Sequence, residues 1–359
     1  MPLPSPISIF SDLLHDEDVA KIFCTEVTLE HYLAFEVALA QSLAASGLVD
    51  SGSAQAVVKS AANFSPDVAR ITRSTAADGV PIPEFVRQLK IAVGEKHASA
   101  VHFGATSQDV MDTATVLSLQ RVTTLLAERS QMVVASLSEI IEKDGAIPLM
   151  GRTRMQAAQP ITMADRIRTW RDMIAQAASI LELASDDLSV QLGGPVGTAS
   201  AYGNNGDDIR NLVAKNLGMR GSSKCWHTQR GRIVSYADAL SHLTGALAKM
   251  GQDIALMTQQ GIEDISLRTG GGSSAMPHKK NPVKAEVLVT LGRYNAVQLS
   301  GMHHALIHEQ ERSGSAWTLE WMLMPSMCIA AGKALLTAEE LARDIVLPGE
   351  ANQTLAPNP

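Results

Sequence analysis

The residues best suited to chemistry lie in one glycine-rich segment, residues 270–282, which reads Gly-Gly-Gly-Ser-Ser-Ala-Met-Pro-His-Lys-Lys-Asn-Pro. Glycine makes a loop mobile and lets backbone N–H groups approach a ligand closely. The hydroxyls of Ser273 and Ser274 can carry a proton, and Lys279 and Lys280 bring positive charge. A simple linker between helices is the alternative, but a linker needs no such combination. The segment is therefore a candidate active-site loop.

A second polar segment, His-Phe-Gly-Ala-Thr-Ser-Gln-Asp at residues 102–109, directly precedes a long helical pattern. Thr106 and Ser107 place hydroxyls and backbone N–H groups at the N-terminus of that helix. Such a terminus is a natural binding site for a carboxylate. Taken alone, the segment is equally explained as an ordinary helix cap.

A third segment, Gly-Arg-Thr-Arg-Met-Gln-Ala-Ala-Gln-Pro at residues 151–160, precedes the next long helical pattern. The guanidinium groups of Arg152 and Arg154 can bind carboxylates through paired hydrogen bonds. Arginines are common at the starts of surface helices, so this segment alone does not distinguish a binding site from a plain surface.

Long helices are expected to position these three segments. Of the 359 residues, 45% are hydrophobic and only 4% are aromatic, a composition that favours helix over sheet. Apolar residues recur at three-, four- and seven-residue steps, notably Val122, Leu126, Val133, Leu137 and Ile141. Predicted helices cover residues 29–45, 109–144, 162–192, 207–217, 232–265, 283–312 and 317–345.

Helices of this length must bury their apolar stripes against one another, which predicts an all-α fold with a long central five-helix bundle. We expect a smaller N-terminal helical domain over residues 1–108, the bundle over 109–345 and a loose tail over 346–359. In the first domain, Val-Pro-Ile-Pro at residues 80–83 predicts an extended interruption. Several long helices are apolar on more than one face, which suggests an oligomer, with a monomeric bundle as the alternative.

Composition also excludes several classes of function. The net charge of −7 gives no basic surface for nucleic acid. Three distant cysteines at positions 24, 225 and 328 indicate a reducing compartment. The N-terminus lacks the basic start of a signal peptide, and no apolar stretch approaches the roughly 20 residues that a bilayer requires. We therefore expect a cytoplasmic protein without a membrane partner.

Together the three segments resemble the active-site regions of the fumarase/aspartase superfamily, in the same order. The loop fits that superfamily's signature Gly-Ser-x-x-Met-x-x-Lys-x-Asn with Gly272, Ser273, Met276, Lys279 and Asn281. The resemblance covers about residues 5–345. It implies a central bundle of five long helices and a homotetramer whose active sites each draw on three subunits.

Within the superfamily, residues 151–156, 226–232 and 309–321 look most like the 3-carboxymuconate cycloisomerases of protocatechuate breakdown. The segment His-Phe-Gly-x-Thr-Ser is shared with the adenylosuccinate lyases. Two features depart from the family pattern. Relatives commonly carry a histidine where this chain has Arg154 or Ala157, and they continue beyond residue 359 into a small helical domain.

The resemblance implies roles for individual residues. Ser273 is the implied proton carrier, with Ser274 as a rival, and Lys279 and Asn281 are suited to stabilise charge on a substrate carboxylate. The residues implied in substrate binding are His102, Thr106, Ser107, Arg152, Thr153, Gln229, Arg230, Ser274, Met276 and Asn281. A tricarboxylate is the expected substrate, and no cofactor or metal is expected.

The missing histidine helps to choose between reactions. A lyase that expels an amine or hydroxide gains from a general acid. In opening or closing a lactone the leaving group is a carboxylate, whose conjugate acid has a pKa of about 4 and needs no proton to leave. Ala157 therefore favours a cycloisomerase over a lyase. His102 and His227 remain open as replacements for the absent acid.

Two other functions remain as alternatives: a β-elimination lyase that releases fumarate, such as an adenylosuccinate lyase, and a catalytically silent structural bundle. His304 and His308 lie one helical turn apart, a spacing that can ligate a metal ion. No third ligand accompanies this pair, so a polar helix face is the preferred interpretation.

Overall fold

A computed structural model of the chain describes residues 9–272, 275–276 and 279–348. The α-helices in chain order are α1 (Ser11–Leu14), α2 (Glu17–Ile22), α3 (Thr25–Ala45), α4 (Ser51–Ala61), α5 (Val68–Asp78), α6 (Ile82–Val93), α7 (Ser107–Asp144), α8 (Met163–Asp186), α9 (Gly206–Asn216), α10 (Gly231–Met257), α11 (Val283–His304) and α12 (Ser315–Asp344). The strands are β1 (Pro148–Thr153), β2 (Gln156–Thr162), β3 (Ser266–Leu267) and β4 (Ile345–Val346).

Helices α1 to α6 pack around their own apolar residues and against the start of the bundle. Phe35 and Leu39 of α3 and Phe85 and Leu89 of α6 are fully buried. The predicted extended interruption at residues 80–83 is wrong in its second half, because α6 already begins at Ile82. Proline is accepted in the first turn of a helix, where its missing N–H would have no helical partner.

The predicted all-α fold with five long helices is confirmed. Helices α7, α8, α10, α11 and α12 lie side by side, and α7 alone has 38 residues, a length of about 57 Å. The apolar stripe predicted for α7 is buried from Val122 to Leu137, and Ile141 is half-buried. The long helix begins at Ser107, and the domain boundary after residue 108 stays a prediction.

Three predicted helices end earlier than expected. Helix α8 ends at Asp186 rather than at residue 192, because the following backbone bonds to other parts of the chain. Val190 N–H donates to Arg220 O, and Gln191 N–H donates to the Thr113 hydroxyl. Helices α10 and α11 end at Met257 and His304, followed by turns that contain left-handed residues.

An antiparallel hairpin of β1 and β2 fills residues 148–162, which the sequence analysis left without a strand. Its turn consists of Arg154 and Met155, both with positive φ (50° and 68°), as a two-residue hairpin requires. Neither residue is common in such a turn, and Pro160 lies inside β2. The sequence pattern therefore gives little indication of a strand. Strand β3 pairs with β4, which ties the stem of the 270–282 loop to the end of α12.

Helix α12 corrects the expectation that no segment is long and apolar enough to cross a membrane. By length and composition alone it passes that test. However, 67% of its apolar window is buried inside the protein, as in the core helix of a bundle. Its apolar surface is therefore explained by packing against α7, α10 and α11.

Helices α10 and α11 approach each other closely at two glycines. A Cβ atom at Gly292 of α11 would lie 2.6 Å from the Cβ of Ala248 and 2.9 Å from Thr244 O. A Cβ atom at Gly251 of α10 would lie 2.7 Å from Ala285 O. Both contacts are shorter than side chains tolerate, so the helix spacing depends on the absence of a side chain at these positions.

We predict that Gly292→Ala lowers the free energy of unfolding by about 1–3 kcal/mol, because backbone and Ala248 must move apart. The matched control is Gly245→Ala, on the exposed side of α10, where no atom of the described residues lies within 4 Å of the new Cβ. In this control the free energy of unfolding should stay unchanged or rise by up to about 1 kcal/mol, because alanine has a higher helix propensity than glycine. Denaturant titration of both variants measures the difference, and equal stabilities would contradict the close packing.

Candidate active site

The predicted site residues fall into two groups at opposite ends of the bundle. At the first end, the segment 102–109 and the start of α7 meet residues 193–194 and 226–230. Gln108 Nε2 donates to His227 O at 2.9 Å, and the N–H groups of Gly193 and Gly194 donate to Asp109 at 2.8 and 2.9 Å.

The second end holds the hairpin and the stem of the glycine-rich loop. Arg152 Nη1 lies 2.9 Å from Asp264 Oδ2, in the turn after α10. Gly271 and Asn281 exchange two backbone hydrogen bonds of 2.9 Å, which close the loop at its base. Helix α10 separates the two ends, and its 27 residues span about 40 Å. Among the residues that the structure describes, a single chain therefore does not bring the three motif segments together.

At the first end, Asp109 is the centre of a buried hydrogen-bond cluster. Its fully buried carboxylate accepts from the backbone N–H groups of Thr106, Gly193 and Gly194 and from His227 Nε2, at 2.8–2.9 Å. A buried carboxylate is stable only when its oxygens are paired. Asp109 thus fixes the first turn of α7 and so the positions of Thr106 and Ser107.

His227 serves this cluster and is not free to act on a substrate. Its side chain is buried, and Nε2 is bonded to Asp109. Burial lowers the pKa of His227, but the hydrogen bond to Asp109 and the interaction with Cys225 outweigh burial and raise the pKa from 6.5 to about 9. His227 is therefore an imidazolium at neutral pH, and it neutralises the Asp109 carboxylate.

Arg230 was expected to bind substrate, but the structure places it elsewhere. Its guanidinium is 1% exposed and makes four hydrogen bonds of 2.5–3.0 Å to Asp112 and Glu320. The ring of Trp226 covers it at 4.8 Å, and Trp317 Nε1 donates to Asp112 at 3.0 Å. Binding a substrate here would require breaking a buried ion-pair cluster, so we interpret Arg230 as a structural residue and leave it out of the site.

His102 lies beside the cluster in an unusual conformation. Its φ of 61° is left-handed, and both its backbone N–H and its Nδ1 bond to the carboxylate of Glu36, at 2.8 and 2.6 Å. The side chain keeps 16% of its surface exposed. Of the two histidines left open by the sequence, His102 is the one that can reach a ligand.

Most of the remaining predicted residues lie at exposed or half-buried positions. Ser107, Asn281 and Arg152 are half-buried, Thr106 is just within the buried class, and Thr153, Gln229, Met276 and Lys279 are exposed. Lys279 N–H donates to Met276 O at 3.0 Å. Ser273 and Ser274 lie outside the described residues, so their predicted roles stay predictions.

The histidines of the α11–α12 connection do not form a pair. His303 and His304 are exposed, whereas the His308 side chain is buried, 3.5 Å from Glu320 Oε1. Within the described ranges, no group of three or more His, Cys, Asp or Glu side chains is arranged to hold a metal ion.

Sequence reasoning missed Glu36 and Glu320. Glu36 lies between Phe35 and Ala38 on the buried face of α3, and its partner His102 is 66 residues away. An acidic residue on an apolar helix face is the signal that was available, because a buried carboxylate needs a partner. The identity of that partner depends on tertiary packing.

Both the sequence and the fold are similar to those of known proteins. The sequence model of a protein family described as lyase matches residues 15–340. A 3-carboxy-cis,cis-muconate cycloisomerase from Acinetobacter baylyi is 33% identical over 331 residues, which are 89% of this chain and 73% of the relative. A nitrosuccinate lyase from Streptomyces davaonensis is 30% identical over 333 residues, 88% of this chain and 69% of the relative. The crystal structure of a 3-carboxy-cis,cis-muconate lactonizing enzyme from Pseudomonas putida superposes with a TM-score of 0.86 and 30% identity, over 97% of this chain and 79% of that one.

The pKa of His227 predicts a pH dependence of stability. Because folding raises this pKa from 6.5 to about 9, the stabilisation is fully present below pH 6.5 and is lost as the pH rises through about 9. The difference in unfolding free energy between wild type and His227→Gln should shrink by about 3 kcal/mol over that range. His242→Gln, which replaces an exposed histidine of α10, is the control and should follow wild type. A difference that is constant with pH would contradict the assignment.

Proposed function

Because this chain belongs to the lyase family, within the fumarase/aspartase superfamily, we propose that it is a cycloisomerase that converts 3-carboxy-cis,cis-muconate to 4-carboxymuconolactone. The observation that carries the proposal is Ala157. It is exposed in β2 and pairs with Arg152 of β1, at one of the two positions where relatives commonly carry a histidine, a candidate general acid. A carboxylate nucleophile or leaving group does not need that acid, and a hydroxide or amine does.

The chemistry follows from the substrate's three carboxylates. One carboxylate oxygen adds to a carbon of a double bond, and the electron pair of that bond moves toward the neighbouring carboxylate, which becomes an aci-carboxylate. Lys279, Asn281 and the loop backbone stabilise this charge. Ser273 then delivers one proton to carbon and recovers it from solvent. The reaction therefore takes up one proton for each ionised substrate molecule, and no atom leaves.

A complete site requires more than one chain. The segment with Thr106 and Ser107 lies about 40 Å from the segments with Arg152 and Lys279, the length of α10. We place the three segments in sites shared between the subunits of a homotetramer.

Apolar side chains on the long helices support an assembled state. Val297 of α11 and Leu183 of α8 are each 69% exposed, and Met132 of α7, Tyr294 of α11 and Met322 of α12 are also exposed. Large apolar side chains on the outer faces of core helices are typical of surfaces that other subunits cover. The long helices thus have one face for the core of the chain and one for its neighbours.

The proposed setting is the cytoplasm, and the proposed partner is a small tricarboxylate rather than a nucleic acid or a membrane. Cys24, Cys225 and Cys328 are all free thiols, as is usual in a reducing compartment. Arg152 and Lys279 give the site positive charge in a chain whose net charge is −7.

An assay with two substrates tests the proposed reaction. We expect loss of the diene absorbance of 3-carboxy-cis,cis-muconate, with uptake of about one proton per turnover at neutral pH. Ser273→Ala should lower kcat by at least about 100-fold with helical content and assembly unchanged. Faster release of fumarate from adenylosuccinate would instead favour the lyase, and inactivity on both substrates would favour a silent bundle.

Mixing two inactive variants tests whether the sites are shared. Thr106→Val with Ser107→Ala disables the first end, and Ser273→Ala disables the loop. After the two proteins are dissociated together and reassembled, about a quarter of the sites should combine intact segments and regain activity. Each variant reassembled alone is the control. No activity from the mixture, with tetramers present on a sizing column, would contradict shared sites.

A further inference from the structure

A buried glutamate of the N-terminal helices, Glu36, bonds to both the backbone and the side chain of His102. Glu36 of α3 is 1% exposed, and its two oxygens are divided between the backbone and the side chain of the same residue. Oε2 accepts from His102 N–H at 2.8 Å, and Oε1 pairs with His102 Nδ1 at 2.6 Å. One carboxylate thus sets both the backbone position and the ring orientation of His102.

The backbone around His102 is held in a conformation that it would not adopt freely. The φ of His102 is 61°, and two residues later Gly104 has a φ of 70°. A Cβ at Gly104 would lie 2.6 Å from the ring of Tyr202, whose hydroxyl donates to Phe103 O at 3.0 Å. Glu36 and Tyr202 therefore both hold the turn. Local strain of this kind is typically retained where a side chain has a functional direction.

The charges facing His102 come from three helices: Glu36 of α3, Asp109 of α7 and Lys90 of α6. Burial lowers the pKa of His102, the two carboxylates raise it, and Lys90 lowers it. The net effect is a pKa above the ordinary value of 6.5. The ring therefore carries a positive charge over a wider pH range than a solvent-exposed histidine.

Compared with Arg230 and His227, His102 has a donor that a ligand can reach. Arg230 is enclosed by Asp112 and Glu320, and His227 Nε2 is bonded to Asp109. In His102, Nδ1 is paired with Glu36. Nε2 has no hydrogen-bond partner among the described residues, and this atom is not buried. The free donor lies four residues before Thr106 on the same segment.

We infer that Glu36 is a positioning residue that holds His102 as an imidazolium, whose Nε2–H binds one carboxylate of the substrate beside the N-terminus of α7. The inference rests on the proposed function for the identity of the substrate. A charged donor and a helix N-terminus on one side of the site give a carboxylate two independent attractions. Glu36 itself does not touch the substrate and acts through His102.

Glu36→Gln tests the inference, because an amide keeps the shape and one acceptor oxygen but not the charge. The probe is propane-1,2,3-tricarboxylate, whose binding to the assembled protein is measured by calorimetry. We expect Kd for the probe and KM for 3-carboxymuconate to rise about tenfold, with kcat within about threefold of wild type. NMR of the imidazole should show the His102 titration midpoint moving to lower pH. Glu30→Gln, on an exposed position of α3, is the control and should change neither quantity.

His102→Gln provides a second variant, which keeps Glu36 and removes the cation. It should weaken binding of the probe as much as Glu36→Gln does. Wild-type affinity in either variant, an unmoved His102 titration in Glu36→Gln, or no binding of the probe to wild type would overturn the inference. Neither the His102 titration nor probe binding requires turnover. If the protein binds the probe as expected but does not form the lactone, the proposed reaction is wrong and the inferred carboxylate site still stands.

Discussion

The buried carboxylate of Asp109 holds together parts of the chain that are far apart in sequence. It accepts hydrogen bonds from Thr106 in its own first turn, from Gly193 and Gly194 more than 80 residues later, and from the imidazolium of His227. A carboxylate without water is tolerated only when all these donors are present. The direction of α7, the longest helix of the bundle, is therefore fixed from its first turn.

A second buried charge cluster does the same for the bundle as a whole. Arg230 precedes α10 and joins Asp112 of α7 to Glu320 of α12, and Trp317 also donates to Asp112. Buried ion pairs add little net stability, because desolvation offsets their attraction, but they penalise any arrangement that separates them. Apolar stripes alone would allow helices to slide along one another. These paired charges define the register.

The helices and the three motif segments were predictable because they depend on local information. The apolar period of α7 and the loop's serine, lysine and asparagine can be read along the chain. The β1–β2 hairpin was missed because Arg154 and Met155 occupy left-handed positions that usually select other residues. The burial of Arg230 and the pairing of Glu36 with His102 depend on packing between distant elements. The separation of the first two motif segments was predictable, because the predicted helix of residues 109–144 lies between them.

At position 102 the left-handed backbone conformation lowers stability, whereas the imidazole has the inferred role in binding substrate. Glycine or asparagine would adopt a φ of 61° at a lower free-energy cost than histidine. A substitution that relaxes the backbone at this position therefore removes the imidazole. Each such change would also leave the Glu36 carboxylate buried without its cation. A substitution at residue 102 therefore has two opposing effects on stability: it relaxes the backbone, and it leaves a buried carboxylate on α3 unpaired. The energetic effects of changes at positions 36 and 102 are thus coupled, although 66 residues separate them.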